Sequence, residues 1–369
     1  MTPGADWPLG LACMAHALSR DLQRAARAAG GPAALWGGTP AQLAHWLRVD
    51  GDAVARVTAS RAAFHAGSAR EALVAAGVTH VGMPSQVYPS RLASIFDPPF
   101  GLFGIGCVVP TLARMEEGPT VAIVGSRRPS AAGRRFAHDL AAGLAERGAV
   151  IVSGLARGID GAAHEGALDA GGVTVAVLGS SVDHIHPRRH LTLAQRICET
   201  GAVLSEYWPG TSPAAWRFPA RNRIVAGLAD AVVVVEAAGR SGALITADFA
   251  MEHGTTVLAV PGWPGAEMSA GCNSLIRAGA ALCEGVDDVV NEVAHVGWRD
   301  VQSPLGSDGA DGAVLALIAR EPCGVDRIAT LTDMPPEAVA AALAALEIAG
   351  RVVREPGGVF RAVVRRQGG

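Results

Sequence analysis

Six short apolar runs constrain this chain more than any other feature: residues 121–124, 150–153, 174–178, 203–206, 231–236 and 256–260. Each is nearly unbroken by polar positions. A strand with one wet face alternates apolar and polar residues. A run without alternation is covered on both faces, as in a parallel sheet flanked by helices. Between the runs, residues 136–147, 162–170 and 245–253 carry apolar positions at helical spacing. Strand, helix, strand at this interval predicts an α/β fold, an extended Rossmann-like doubly wound parallel sheet over residues 120–291.

The flanks read differently. Residues 1–80 are expected to be a small helical domain of the sterile-alpha-motif or helix-hairpin-helix kind, with Gly30-Gly31-Pro32 and Gly37-Gly38 as breaks. Thr39 before Pro40 has the look of an N-cap and first helical position. Residues 81–297 form the Rossmann-like domain, entered through an irregular Pro-rich stretch, 80–103, and a strand over 101–109. Residues 298–311 are a polar linker. In 312–369, helices over 313–319, 325–332 and 335–349 precede a hairpin with a Pro356-Gly357-Gly358 turn, the order of a winged-helix domain.

Composition excludes more than it assigns. The 369 residues are half hydrophobic and only 18% charged, with a net charge of −3. That balance permits sizeable cores and argues against disorder. Every basic residue is Arg, so any cationic phosphate contact comes from a planar guanidinium fork. The six cysteines, at 13, 107, 198, 272, 283 and 323, have no zinc-site spacing and no disulfide framework, so no metal is expected. No apolar stretch reaches the length of a membrane span, and a cytoplasmic protein is expected.

In an open parallel sheet, ligands bind beyond the carboxyl ends of the strands. After the first strand stands Gly125-Ser126-Arg127, a small loop able to turn backbone N–H groups and the next helix's positive end toward an anion. It is neither G-x-G-x-x-G nor a P-loop, so no nucleotide cofactor is expected. After the second strand, Gly158-Ile159-Asp160 opens a helix carrying His164. Asp160 caps that helix or pairs with His164 as acid and base. After the fourth come Arg217, Phe218, Arg221, Asn222 and Arg223, either a turn that stacks a base and holds phosphates or a solvated basic turn over a core Phe218. After the fifth, Ser241, Gly242 and Thr246 can complete a phosphate cradle. After the sixth, Leu275 and Ile276 lie on a short helix and pack into the core or form a contact patch.

Taken in order, these segments resemble the DNA-processing protein A (DprA/Smf) family. The family's run is matched by Gly125-Ser126-Arg127, by Gly158-Ile159-Asp160 with Ala163-His164, by Ser205-Glu206 and by Phe218-Pro219-Ala220-Arg221-Asn222-Arg223. It continues through Glu236-Ala237, Ser241-Gly242 with Leu244 and Thr246-Ala247, Pro261-Gly262, and Asn273 with Leu275-Ile276 and Gly279-Ala280. The resemblance implies a non-enzymatic protein that binds single-stranded DNA in natural transformation, loads the RecA recombinase onto it and works as a homodimer. It carries a DNA-binding role to Gly125, Ser126, Arg127, Phe218, Arg221, Asn222 and Arg223, with Arg217 added by position, and a dimer-interface role to Ile276 and Leu282. One segment departs: His186 stands where the family has Tyr, and His190 where it has Asn.

Two other readings stay open. The cradle can belong to a nucleotide or nucleoside-phosphate hydrolase with Asp160, His164 or Glu236 as acid or base, although the Pro-Gly-Gly of that enzyme group is missing. It can also belong to a nucleotide-sensing regulator that uses its winged helix on duplex DNA. The helix over 335–349 carries only Glu337 and Glu347 as charges, which suits protein contact better than a major groove.

Overall fold

Alternate side chains of one central strand, β3 (Thr120–Gly125), enter two different cores, which is what burial on both faces requires. Val121 and Ile123 pack with helices on one face, while Ala122 and Val124 join the core on the other. This computed structural model describes residues 6–18, 22–294, 296–298, 313–315, 317–318, 322–348, 352–355 and 358–362. The chain divides into two units, Met1–Arg299 and Asp300–Gly369.

The first unit opens with α1 (Trp7–Leu18), α2 (Gln23–Ala28), α3 (Pro32–Gly37), α4 (Pro40–Leu47), α5 (Gly51–Ala63) and α6 (Ala66–Ala75). Thr39 caps α4 as expected, in a reciprocal capping box with Gln42. The stretch expected to be irregular holds two short elements, β1 (Thr79–Gly82) and α7 (Ser90–Ser94). The expected boundary at 80/81 therefore falls inside β1, which pairs antiparallel with β2 (Gly101–Gly106). Helix α8 (Val108–Glu117) leads into β3.

The remaining order is α9 (Ala131–Glu146), β4 (Val150–Ser153), α10 (Ile159–Asp169), β5 (Thr174–Val177), α11 (Leu191–Thr200), β6 (Ala202–Ser205) and α12 (Arg217–Gly227). Then come β7 (Ala231–Val235), α13 (Gly242–His253), β8 (Thr256–Ala259), α14 (Ala270–Arg277), β9 (Ala281–Leu282) and α15 (Val286–Glu292). The nine-stranded sheet has the order β1-β2-β6-β5-β4-β3-β7-β8-β9. All pairs from β6 to β9 are parallel; β2 joins β6 antiparallel. The six expected strands are β3 to β8. The chain winds outward from β3 to β6, then returns to β7 beside β3 and winds the other way. That reversal opens a crevice above the ends of β3 and β7.

In the second unit, residues 313–315 and 317–318 are helical, followed by β10 (Cys323–Gly324), α16 (Val325–Thr332), α17 (Pro336–Ile348), β11 (Val352–Glu355) and β12 (Val359–Ala362). The strands pair in the order β10-β12-β11, and Val339, Leu343 and Leu346 of α17 fill the core. This is the expected winged-helix arrangement plus a short strand, β10, that the apolar pattern is too brief to reveal. Linker residues 299–311 and the turn residues Pro356 and Gly357 lie outside the described residues. Among the described residues no helix is long and apolar enough to cross a membrane.

Candidate nucleic-acid interface

The crevice above β3 and β7 is a cavity of about 340 Å³. Its walls bring together Gly125, Ser126, Arg127, Phe218, Arg221, Asn222, Ser241, Gly242 and Thr246, residues drawn from three separate strand-end segments. The loop after β3 approaches its neighbours so closely that only glycine fits. A Cβ on Gly125 would lie 1.9 Å from the Val235 carbonyl oxygen. Gly158 has φ +82°, and a Cβ there would lie 2.3 Å from the Ser126 oxygen.

The charges in the crevice have separate duties. Arg127 is exposed, with its guanidinium 5.9 Å from the Phe218 ring centroid. Arg221 is buried in the floor, donating to the carbonyl oxygens of Gly154, at 2.7 Å, and of Val177. Asp160 accepts from the N–H groups of Gly154 and Ala156 at 3.1 and 3.2 Å. Burial pushes its carboxyl pKa up, against the pull of Arg221 and those two N–H groups. Asp160 thus ties down the loop before α10; Gly158 occupies the N-cap of that helix, so the expected capping role is corrected.

The positive end of α9, expected to face an anion, is already matched from within. Ser130 caps α9 through Gly133 N–H, and Ser130 N and Oγ donate to the Glu236 carboxylate at 2.7 and 2.5 Å. At α13, Ser241 is the N-cap and Gly242 is exposed at the crevice wall. Asn222 fixes this wall by donating to the Gly242 carbonyl at 3.1 Å. His164 is fully buried with Nδ1 2.7 Å from the Thr174 hydroxyl, and burial pushes its pKa down to about 3. Asp160, His164 and Glu236, the acid–base candidates, are therefore all engaged in holding the scaffold.

Two residues assigned to the crevice lie elsewhere. The segment expected to be a turn is helical, because Pro219 sits in the first turn of α12, where its missing N–H costs nothing. Helical periodicity then sends Phe218, Arg221 and Asn222 to one side and Arg217 and Arg223 to the other. Arg223 is buried in a bidentate pair with Glu206 at 2.6 and 2.8 Å. Arg217 donates to the Ser212 carbonyl, its guanidinium 5.0 Å from both the Tyr207 and Trp216 rings. Of the two departing histidines, His186 lies 5.4 Å from the Phe218 ring, tilted by 42°, and His190 Nδ1 is 3.0 Å from the Leu155 carbonyl.

At the sheet edge, Ile276 of α14 and Leu282 of β9 line one concavity with Pro261, Pro264 and Arg277. Ile276 is half-buried and Leu282 exposed, whereas Leu275 packs into the core.

Residues 79–294 match the family model for DNA recombination-mediator protein A, and residues 300–358 match the DprA winged helix domain. This chain belongs to the DNA recombination-mediator protein A family. The "Putative DNA processing protein DprA" of Mycobacterium tuberculosis is 45% identical over 252 residues, 64% of this chain and 64% of that relative's length. The X-ray structure of DNA processing protein A from Streptococcus pneumoniae superposes with a TM-score of 0.65 at 34% identity, covering 79% of this chain and 98% of that one. DNA processing protein A from Helicobacter pylori, whose structure is described for its single-stranded DNA binding mode, superposes with a TM-score of 0.53 at 30% identity, covering 59% of this chain and 96% of that one.

Proposed function

We propose that this family member binds single-stranded DNA in the crevice above β3 and β7 and loads the RecA recombinase onto it during natural transformation, as a cytoplasmic homodimer. The observation that carries the reading is the convergence of Arg127, Phe218, Gly242 and the Gly125 loop on one cavity. The α13 N-terminus and Arg127 hold phosphates, Phe218 stacks a base, and sequence preference is small. Arg221 acts beneath them, holding the floor in shape. A duplex would present its bases stacked and paired, out of reach of Phe218.

The surface bearing Ile276 and Leu282 joins the two copies. The winged helix contacts protein rather than duplex DNA, since α17 carries no cation. No second reading is favoured, because each acid–base candidate is tied into the fold through at least one polar atom. The test is a competition between single-stranded and duplex DNA, followed by capture of RecA on the bound strand. Preference for the single strand with RecA recruitment is expected. Equal affinity for duplex would overturn the binding claim, and absent recruitment would overturn the loading claim.

A further inference from the structure

A second cavity, of about 230 Å³, lies on the opposite face of α12. Its walls hold six aromatic side chains: Phe96, Phe100, Tyr207, Trp208, Trp216 and Phe249. We propose that this cavity takes a nucleobase from the same single strand whose phosphates lie in the first crevice, a deepening that rests on the proposed DNA-binding function.

Three observations point to that occupant. The first is continuity. Trp216, Arg217, Ala220 and Arg223 line the second cavity, while Phe218, Arg221 and Asn222 line the first, so one helix divides the two sites. Helix α13 runs from one to the other: Ile245 and Thr246 face the crevice, and Phe249 and His253 face the aromatic cavity. Seven residues of helix separate these ends, roughly 10 Å of rise.

The second is charge. The carboxylates in the wall, Glu206 and Asp97, are paired with Arg223, and Asp97 also with Arg27. Glu252 adds another. A phosphate gains nothing by entering such a wall, whereas a flat neutral ring between aromatic faces does. The sugar–phosphate would stay at the mouth, beside Arg217.

The third is unmet hydrogen bonding. Arg217 and His253 line this cavity, and their Nε and Nδ1 atoms are buried with no hydrogen-bond partner. A base edge offers donors and acceptors that such atoms lack. Phe96 is 76% exposed and Trp216 46%, large apolar surface left uncovered around the cavity.

The experiment compares a short strand that fills the crevice alone with a longer one that reaches both sites, roughly four and roughly twelve nucleotides. The longer strand carries 2-aminopurine at successive positions, whose fluorescence is quenched by aromatic stacking. The full chain is compared with Trp216→Ala, with Ala15→Trp, which fills the cavity from α1, and with Arg127→Ala. Trp216→Ala and Ala15→Trp are expected to lower affinity for the long strand roughly tenfold, the worth of one stacked base, and to remove quenching at one position. Their affinity for the short strand stays unchanged. Wild-type affinity for the long strand in both variants would overturn the proposal, as would quenching of the free 2-aminopurine nucleoside with no length effect. Arg127→Ala keeps the two claims apart. It should weaken both lengths, and if it weakens neither while the cavity variants still act, the crevice reading fails alone.

Discussion

Arg127 and Arg221 stand in one crevice with different work. Arg127 is exposed and free to meet a phosphate. Arg221 is buried against Asp160 and two carbonyl groups. Removing it takes the donor from two buried carbonyl oxygens and a favourable charge from the buried Asp160, at a cost of about 1–3 kcal/mol for each group left unsatisfied. Arg221→Ala is therefore expected to lower unfolding free energy by that order in chemical denaturation, whereas Arg127→Ala leaves it within about 0.5 kcal/mol. Equal stability of the two variants would remove the scaffold role of Arg221. The composition of residues 217–223 is enough to single out Arg217, Arg221 and Arg223. Which of them reach the crevice was not legible, because that depends on which face of α12 each occupies. Read as a turn, the segment allowed Arg223 to reach a phosphate; read as a helix, it delivers Arg223 to Glu206.

At the scale of elements, the strands were the most legible part of the chain. Buried parallel strands such as β4, with Val150, Ile151 and Val152 all fully buried, leave an apolar run that no other local structure explains as well. Elements β1 and α7 were hidden because they are short and surrounded by prolines. The link between β7 and α9 was hidden too. It depends on Glu236, which has φ +50° and turns its carboxylate onto Ser130. That carboxylate holds the loop carrying Arg127 against the loop after β7, and Ser126 N–H donates to the Glu236 carbonyl at 2.8 Å. Glu236→Ala is expected to release the α9 cap at a cost of about 1–2 kcal/mol. It should also weaken single-strand binding although the residue touches no DNA. Melting and binding titrations of the same preparation check this; a loss of neither contradicts the strut.

Loss of stability in acid follows from the burial of two neutral histidines. His164 has its pKa pushed from 6.5 to about 3 by burial, with smaller contributions from His190 and Arg221. His80, on the edge strand β1, is lowered to about 4 for the same reason, aided by Arg70. Between pH 6.5 and these values the unfolded chain takes up protons that the folded chain refuses. The stabilisation is full above pH 6.5 and is lost as pH falls, by about 1.4 kcal/mol per pH unit for each histidine. Melting temperature should drop across this window, and His164→Gln should remove about one proton from the slope. A slope unchanged by that substitution would contradict the buried neutral state.

The proposed DNA binding rests on the crevice where the winding of the sheet reverses. Its most direct test is single-strand affinity measured across salt concentrations for the wild-type chain and Arg127→Ala, on strands of differing sequence. The substitution should weaken all sequences alike and reduce the slope of log affinity against log salt by about 0.7, the release of one phosphate counterion from a single strand. Unchanged affinity and slope would remove Arg127, and with it the crevice, from the path of the DNA.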